Sequence, residues 1–511
     1  MAEICVTIAR RRHQKLLEEM DAARAQGARM MEIRLDFLAR EPRLDEILKR
    51  RSCPLVATIR RKKDGGQWTE SEEKRLLLLR SAIVAGFDYV DIEWDVADKI
   101  PRYGSTKRIL SHHDMQQMPS DLGKLHRTMV ERDADIVKIA AKANDPAENF
   151  AMLRLVADAK VPTVAFCMGD LGTLSRIAGA KLGSPYTYAA FNPERIVAPG
   201  LLTLAEMREL YRYESINAET GIYGVIGDPI AQSLSPLVHN TCFQELGLNK
   251  VYVPIRIPVE CLDRFLAGMG SIPVEGLSVT IPHKQNILPF GQISDPLVRA
   301  TGSANTMIRV GDKYELFNTD GPAAMQSLEA ALPIDRRTGK RSLKDRAVVV
   351  LGAGGVARTI AHSLQAAGAL VTITNRTYER ATELARDVGC SALEWNQRHL
   401  RQWDIVINCT KLGMYPEVEK TPFHGGSIRE KMVVFDTVYN PENTALLQAA
   451  KEHDAIVVSG VSMFVAQAEA QFRRFAGQDP PRGMMETLVR EELSPARNML
   501  RQVRLSSGKK T

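Results

Sequence analysis

Eight short β-rich runs, most of them followed by an amphipathic segment, leave the first 210 residues few folds to choose from. They are EICVTIA from residue 3, MMEIRLDFL from 30, PLVATIRR from 54, DYVDIEW from 88, RILSHHD from 108, DIVKIAAKA from 135, PTVAFCMG from 162 and YTYAAF from 186. Between them stand segments such as HQKLLEEMDAARAQ and SEEKRLLLLRSAIVAG, whose apolar residues recur at helical spacing. A strand-then-helix unit repeated eight times in about 200 residues predicts an α/β architecture, a compact (β/α)8 TIM barrel. Single cores stop growing at about 250 to 300 residues, so a chain of 511 needs further domains.

A barrel of this kind builds its active site at the C-terminal ends of its strands. Polar residues gather there: Glu32, Arg34 and Asp36; Arg60; Asp91 and Glu93; His112 and His113; and Lys138. Adjacent His112 and His113 point to opposite faces of one strand, so only one can face the interior, which argues against a paired-histidine metal site. Lys138 lies in the apolar run DIVKIAAKA, where an unpaired ammonium is costly to bury. Alone, such a lysine is more often salt-bridged or snorkelling. Desolvated beside a histidine, it can serve as an amine nucleophile that forms a Schiff base with a carbonyl, while the histidine moves protons next to the imine.

Glu32-Ile-Arg34-Leu-Asp36, Thr58-Ile-Arg60 followed by Gly65-Gly66, Ser111-His-His113-Asp114, Val137-Lys138-Ile139 and Ser175-Arg176-Ile-Ala-Gly179 occur in this order over residues 1 to 212. In this the chain resembles type I 3-dehydroquinate dehydratase. The resemblance implies Lys138 as the imine-forming residue and His113 as the proton carrier, with Asp64 as the third member of the catalytic set. It implies Glu32, Arg34, Arg60 and Arg176 as substrate contacts. Two departures stand out: Asp64 where the family usually has Glu before the glycine pair, and Val197-Ala-Pro199-Gly200-Leu201 where the family tends to read Ser-Ala-Pro-Gly-Gln.

After a polar connector, Tyr213 to Thr220, the pattern changes. RAVVVLGAGGVARTIAHSLQAAGALVTITNRT runs strand, Gly352-Ala353-Gly354-Gly355-Val356-Ala357, helix, strand, the order of a dinucleotide-binding Rossmann fingerprint. At the end of the second strand, Asn375, Arg376 and Thr377 replace the acidic residue that favours NAD; a cation there suits the 2′-phosphate of NADP(H). Between connector and fingerprint lie Ser233-Leu-Ser235-Pro236, Ser278-Val-Thr280-Ile-Pro282-His-Lys284, Gly302-Ser-Ala-Asn305-Thr306 and Asn318-Thr319-Asp320-Gly321. Their hydroxyls, amide, ammonium and carboxylate suit a polyhydroxylated acid, and a lysine paired with an aspartate can handle the proton that ketone reduction requires.

These motifs, with Asn408-Cys-Thr410, Asp436-Thr-Val-Tyr439-Asn-Pro441 and Gly460-Val-Ser-Met463 leading to Gln467, resemble shikimate dehydrogenase over residues 221 to 490. The resemblance implies Lys284 and Asp320 as the catalytic pair. Ser233, Ser235, Thr280, Asn305, Tyr439 and Gln467 would contact substrate, and Thr410, Gly460 and Met463 would join the fingerprint in holding NADP(H). Ser278 departs from the Asn of many members. The implied division is a barrel over 1–212, a linker over 213–220, a discontinuous substrate domain over 221–322 and 461–495, a Rossmann domain over 323–460 and a flexible tail over 496–511. Together the two resemblances imply a fused, plant-like enzyme of the shikimate pathway and of aromatic amino acid (chorismate) biosynthesis. A quinate dehydrogenase in the second half, or a metabolite-sensing regulator, remain as alternatives.

The net charge of +7 is spread along the chain rather than gathered into a block, so small anionic ligands are expected and nucleic acid is not. Seven cysteines without a CxxC pair point to a reducing, cytoplasmic setting and no structural zinc. No signal peptide or membrane span is expected, since no run approaches ~18 apolar residues.

Overall fold

The protein's structure, a computed structural model, describes residues 2–334 and 341–494, and the expected tail over 496–511 lies outside them. By its internal contacts the chain forms two compact units, Met1–Pro236 with Asn249–Val274, and Leu237–Leu248 with Glu275–Thr511.

The first unit contains all eight expected strands: β1 (Glu3–Ile8), β2 (Met30–Arg34), β3 (Leu55–Thr58), β4 (Tyr89–Glu93), β5 (Lys107–Asp114), β6 (Ile136–Lys142), β7 (Thr163–Met168) and β8 (Tyr186–Ala190). They form one parallel sheet in the order β7-β6-β5-β4-β3-β2-β1-β8. The ring is a near-barrel. Among the described strands β7 and β8 share no ladder, and bulky rings stand there instead, Phe166 and Tyr188 with centroids 6.3 Å apart.

The two-residue period of the strands sorts the interior into levels. Cys5, Met30, Val56, Tyr89, Ile109 and Ile136 pack into an apolar floor on β1 to β6. Two residues further along each strand comes a polar side chain: Thr7, Glu32, Thr58, Asp91, Ser111 and Lys138, all buried. The helices expected after β1 and β3 are present as His13–Ala25 and Glu72–Ala85. The connector at 213–220 is folded in: Tyr213 is fully buried, and Lys181 Nζ donates to the carbonyls of Ala218 (2.6 Å) and Thr220 (2.9 Å). The unit continues into a parallel pair, β9 (Gly221–Gly227) and β10 (Lys250–Arg256).

The second unit holds two sheets. In the first, β11 (Gly276–Val279), β13 (Thr306–Val310) and β14 (Lys313–Phe317) are antiparallel neighbours, and the short β12 (Gln292–Ile293) adds parallel to β14. The second is wholly parallel: β15 (Ala347–Leu351), β16 (Leu370–Asn375), β17 (Ser391–Glu394), β18 (Ile405–Asn408), β19 (Val433–Asp436) and β20 (Ile456–Val458), in the order β17-β16-β15-β18-β19-β20. The chain grows outward from β15 first to one side and then to the other. The reversal leaves a crevice at the C-terminal ends of β15 and β18, where such sheets bind their ligands. Among the described residues no helix is long and apolar enough to cross a membrane.

Candidate functional site

Pairing between β5 and β6 decides which histidine faces inward. Ser111 is opposite Lys138, and His113 is opposite Ala140, so Ser111, His113, Lys138 and Ala140 share one face. His112 points the other way and accepts a 3.2 Å hydrogen bond from Trp94 Nε1. His113 and Lys138 line a partly open cavity of about 70 Å3 together with Glu32, Arg34, Arg60, Asp64 and Arg176.

Lys138 is not held by apolar neighbours alone. Its Nζ donates to Asp91 Oδ2 (3.0 Å), lies 3.5 Å from Glu32 Oε1 and sits 3.9 Å above the Tyr188 ring. Glu32 is aimed by hydrogen bonds of 3.0 Å from Thr7 Oγ1 and Thr58 Oγ1. Arg60 donates to Asp91 (2.7 Å) and to Ser111 Oγ (2.7 Å), and Ser111 Oγ in turn donates to Asp91 (2.6 Å). Burial would raise the Asp91 carboxyl, but Arg60 and Lys138 outweigh it and hold it well below the usual carboxylate range. Burial, helped by the charges of Arg60 and Lys138, pushes His113 well below its ordinary value, so its imidazole is neutral near pH 7 and able to accept a proton. His113 Nδ1 has no hydrogen-bond partner among the described residues.

The cations of the cavity differ in what they already hold. Arg34 is locked onto Asp36 through two bonds of 2.9 and 2.8 Å. Arg176 is 2% exposed, lies 4.3 Å above the Phe166 ring, and its Nε and Nη1 have no partner. Burial lowers its pKa to about 10. Asp64 accepts from Arg61 Nε (2.5 Å) at the end of a 3-10 turn. The following glycines are both required: Gly65 has φ +83°, and a Cβ on Gly66 would meet the Arg60 carbonyl oxygen at 2.0 Å. Val197 and Leu201 form part of the wall with their apolar side chains, and Leu201 is buried in the inner cluster.

In the second unit Lys284 Nζ donates to Asp320 Oδ2 at 2.6 Å. Asn305 Nδ2 donates to Asp320 Oδ1 (2.9 Å) and to Thr319 Oγ1 (2.8 Å), so the carboxylate is fixed from both sides. Ser278 Oγ donates to Gln471 (2.7 Å), which itself donates to the Asn305 carbonyl; this hydroxyl supports the cluster from behind. Gln467 Nε2 donates to the Phe464 carbonyl and its own carbonyl accepts from Thr319 Oγ1. Tyr439 packs against Phe464 with tilted rings whose centroids are 4.8 Å apart. Thr280 is half-buried just beyond β11. Ser233 and Ser235 belong to the first unit, where Ser235 begins the helix Ser235–Glu245 and its backbone N–H donates to Ser233 Oγ.

The fingerprint occupies the crevice of the parallel sheet. Gly352, at φ +114°, follows β15, and its N–H donates to the Thr374 carbonyl (2.7 Å). Ala353 and Gly354 lead into the helix Gly355–Ala366, whose first residues are Gly355, Val356 and Ala357. Its first backbone N–H groups have no intrahelical acceptors and suit a pyrophosphate. Asn375 Nδ2 donates to the Thr377 carbonyl and shapes the turn after β16. Arg376 there is exposed, without a hydrogen bond or ion pair among the described residues. Thr410, beyond β18, bonds to Asn408. Gly460 and Met463 lie in the first turn of the helix Gly460–Ala476.

Three family models match the chain: type I 3-dehydroquinase over residues 4–218, shikimate dehydrogenase substrate binding domain over 225–307, and shikimate / quinate 5-dehydrogenase over 335–459. A chloroplastic bifunctional 3-dehydroquinate dehydratase/shikimate dehydrogenase of Arabidopsis thaliana is 37% identical over 94% of this chain and 83% of its own length. The chain belongs to this bifunctional family. An NADP(+) shikimate dehydrogenase of Methanosarcina barkeri (strain Fusaro / DSM 804) is 38% identical over 53% of this chain and 98% of its own. A shikimate dehydrogenase crystallised with NADP+ superimposes with TM-score 0.51 and 33% identity, covering 55% of this chain and 98% of its own.

Within that family frame, some of the residues around Lys138 escaped sequence reasoning. Thr7 and Tyr188 touch the site, yet nothing in their local sequence distinguishes them from ordinary strand residues; Thr58 stood in the Thr58-Ile-Arg60 motif, but without its bond to Glu32. Asp91 was visible as a polar strand end, but its bond to Lys138 depends on strand register. Among the described residues no group of three or more His, Cys, Asp or Glu side chains could hold a metal ion.

Proposed function

We propose that this chain carries out two successive shikimate-pathway reactions: dehydration of 3-dehydroquinate to 3-dehydroshikimate in the barrel, and NADPH-dependent reduction of that product to shikimate in the second half. The observation that carries the first reaction is the cavity in which a lysine, a neutral histidine and an unpaired buried arginine converge. The Lys138 amine adds to the substrate ketone and water leaves as the imine forms. The cationic imine acidifies the neighbouring C–H, and His113 takes that proton. The β-hydroxyl leaves with a proton returned by the imidazolium, and water hydrolyses the imine to free Lys138. Arg176 pairs with the substrate carboxylate, Glu32, Arg34 and Arg60 border the ring hydroxyls, and Asp64, in the same cavity, is assigned to the catalytic set with Lys138 and His113.

For the reduction, bound NADPH supplies the hydride. The Lys284 ammonium, aimed by Asp320, gives a proton to the substrate oxygen as negative charge develops there. Ser233, Ser235, Thr280, Asn305, Tyr439 and Gln467 are assigned to the substrate, and Thr410, Gly460 and Met463 to the cofactor with the fingerprint. The exposed Arg376 supports the 2′-phosphate assignment. The dehydratase is assigned to residues 1–212 and the reductase to 221–495. Seven cysteines, none in a disulfide, support a reducing cytoplasm.

The test supplies 3-dehydroquinate to the full chain with and without NADPH, with quinate as a parallel substrate. Dehydroshikimate accumulates without cofactor and shikimate forms with it. Lys138→Ala abolishes the first step and the adduct trapped by borohydride, whereas Lys284→Ala abolishes only the second. An adduct surviving in Lys138→Ala, or faster turnover of quinate than of shikimate, overturns the respective assignment.

A further inference from the structure

A line of buried charges of alternating sign leads from Lys138 out through the barrel wall. Asp91 accepts from Lys138 (3.0 Å) and from Arg60 (2.7 Å); Arg60 also approaches Glu93 at 3.4 Å. Glu93 accepts a short bond from Arg75, and Arg75 donates to Glu72 through Nε (2.8 Å) and Nη2 (2.7 Å) and to the Ile59 carbonyl (3.0 Å). Arg75 lies on the helix Glu72–Ala85, outside the strands, and is 0% exposed; Glu93 is 2% and Arg60 3% exposed. Arg75 does not line the cavity.

A fully buried arginine outside the cavity needs a reason, because burying one costs several kcal/mol unless it is paired. Glu93 supplies the partner. Yet Glu93 is itself buried on an inward strand position and would be unnecessary if Arg60 needed only Asp91. The arrangement makes sense as a unit: two carboxylates grip the Arg60 guanidinium so that it addresses Asp91 and Ser111, and Asp91 addresses Lys138. Burial raises the Glu93 carboxyl even with Arg60 and Arg75 beside it, so removing either cation leaves its charge less compensated in a medium that screens poorly.

We propose that Arg75 is a positioning residue for the dehydratase: through Glu93, Arg60 and Asp91 it sets both the placement and the electrostatic potential of the Lys138 amine. The proposal rests on Lys138 as the imine-forming residue. Lys138 is faced by Asp91, Glu32, His113 and the Tyr188 ring; the charged groups facing Glu93 are Arg60, Arg75, Asp91 and Arg61, and those facing Asp91 are Arg60, Lys138 and His113. Arg75→Met removes a positive charge and makes the potential at Lys138 more negative, which favours the ammonium over the reactive amine. Glu93→Gln removes a negative charge and acts in the opposite sense.

The experiment measures the rate of adduct trapping by 3-dehydroquinate and cyanoborohydride against pH, with the full chain. Arg75→Met moves the acid limb to higher pH and Glu93→Gln moves it to lower pH, each by about half a pH unit or more. The double variant returns towards wild type, and Arg75→Lys, which keeps the charge, retains the wild-type limb. Reductase activity is unchanged in all four. Limbs that do not move, or shifts of the same sign that add in the double variant, overturn the proposal. If Arg75→Met does not fold, Glu93→Gln and Arg75→Lys decide it alone. Absence of any adduct in wild type would instead refute the role of Lys138.

Discussion

Replacing Arg176 with methionine should make the barrel more stable and a worse enzyme at once. The guanidinium is 2% exposed, two of its nitrogens have no partner, and burial brings its pKa down from its ordinary value to about 10. A depression of that size corresponds to about 3 kcal/mol of unfavourable burial of the cation. The folded-state value of this base is lowered, so the penalty is complete below about pH 10 and fades only as the pH rises past that value; at pH 7 all of it is present. Methionine fills a similar volume without the charge but loses the stacking on Phe166, about 0.5 to 2 kcal/mol. The net gain is about 1 to 3 kcal/mol, or roughly 2 to 10 °C in the melting temperature of the first unit. The same change deletes charged hydrogen bonds to the substrate carboxylate, each about 1.5 to 3 kcal/mol, so KM for 3-dehydroquinate should rise at least about a hundredfold. Thermal melts monitored by circular dichroism, without ligand at pH 7, and steady-state dehydration kinetics provide the two readings. A variant that melts lower than wild type, or that keeps its KM, would refute the view of Arg176 as a cation held ready for an anion.

Two further changes test the second unit. Burial raises the Asp436 carboxyl to about 6, against hydrogen bonds from Thr444, Val438 and Asn408 that favour the anion. Because this acid's folded value is raised, its contribution is complete below about pH 4 and lost as the pH climbs through 6. Asp436→Asn should therefore match wild type near pH 4 and exceed it by up to about 3 kcal/mol above pH 6, as read by urea titrations at both pH values. Arg376→Ser should raise KM for NADPH about 10- to 100-fold while leaving KM for NADH within about twofold, since only the 2′-phosphate contact is lost.

Much of the fold was legible because both halves are built from repeated local signals. The eight strands appear where β-rich runs alternate with helical segments, and the fingerprint at Gly352 falls between β15 and its helix. The choice between His112 and His113 was only half legible. Alternation told that one faces inward, and pairing of His113 with Ala140 beside Lys138 told which. The surroundings of Lys138 were misleading in one respect, because an apolar run along the chain says nothing about side chains on neighbouring strands. Asp91 and Glu32 come from β4 and β2, and Tyr188 from β8. Ser278 shows the same limit: a hydroxyl in a substrate-like motif is turned towards Gln471, 193 residues away.

The sequence by itself determined the covalent chemistry on offer, an amine, an imidazole, a second ammonium with its carboxylate, and a glycine turn for a pyrophosphate, and it determined the local elements that carry them. These depend on residue type and on periods of 2 and 3.6, which a linear chain displays. Tertiary structure decided which charges meet. Arg176 is left unpaired while Arg34 and Arg60 are engaged, and Arg75, on the far side of the barrel wall, joins the line that ends at Lys138. Such pairings depend on register between distant strands and on burial, and electrostatic energy follows those distances rather than separation along the chain.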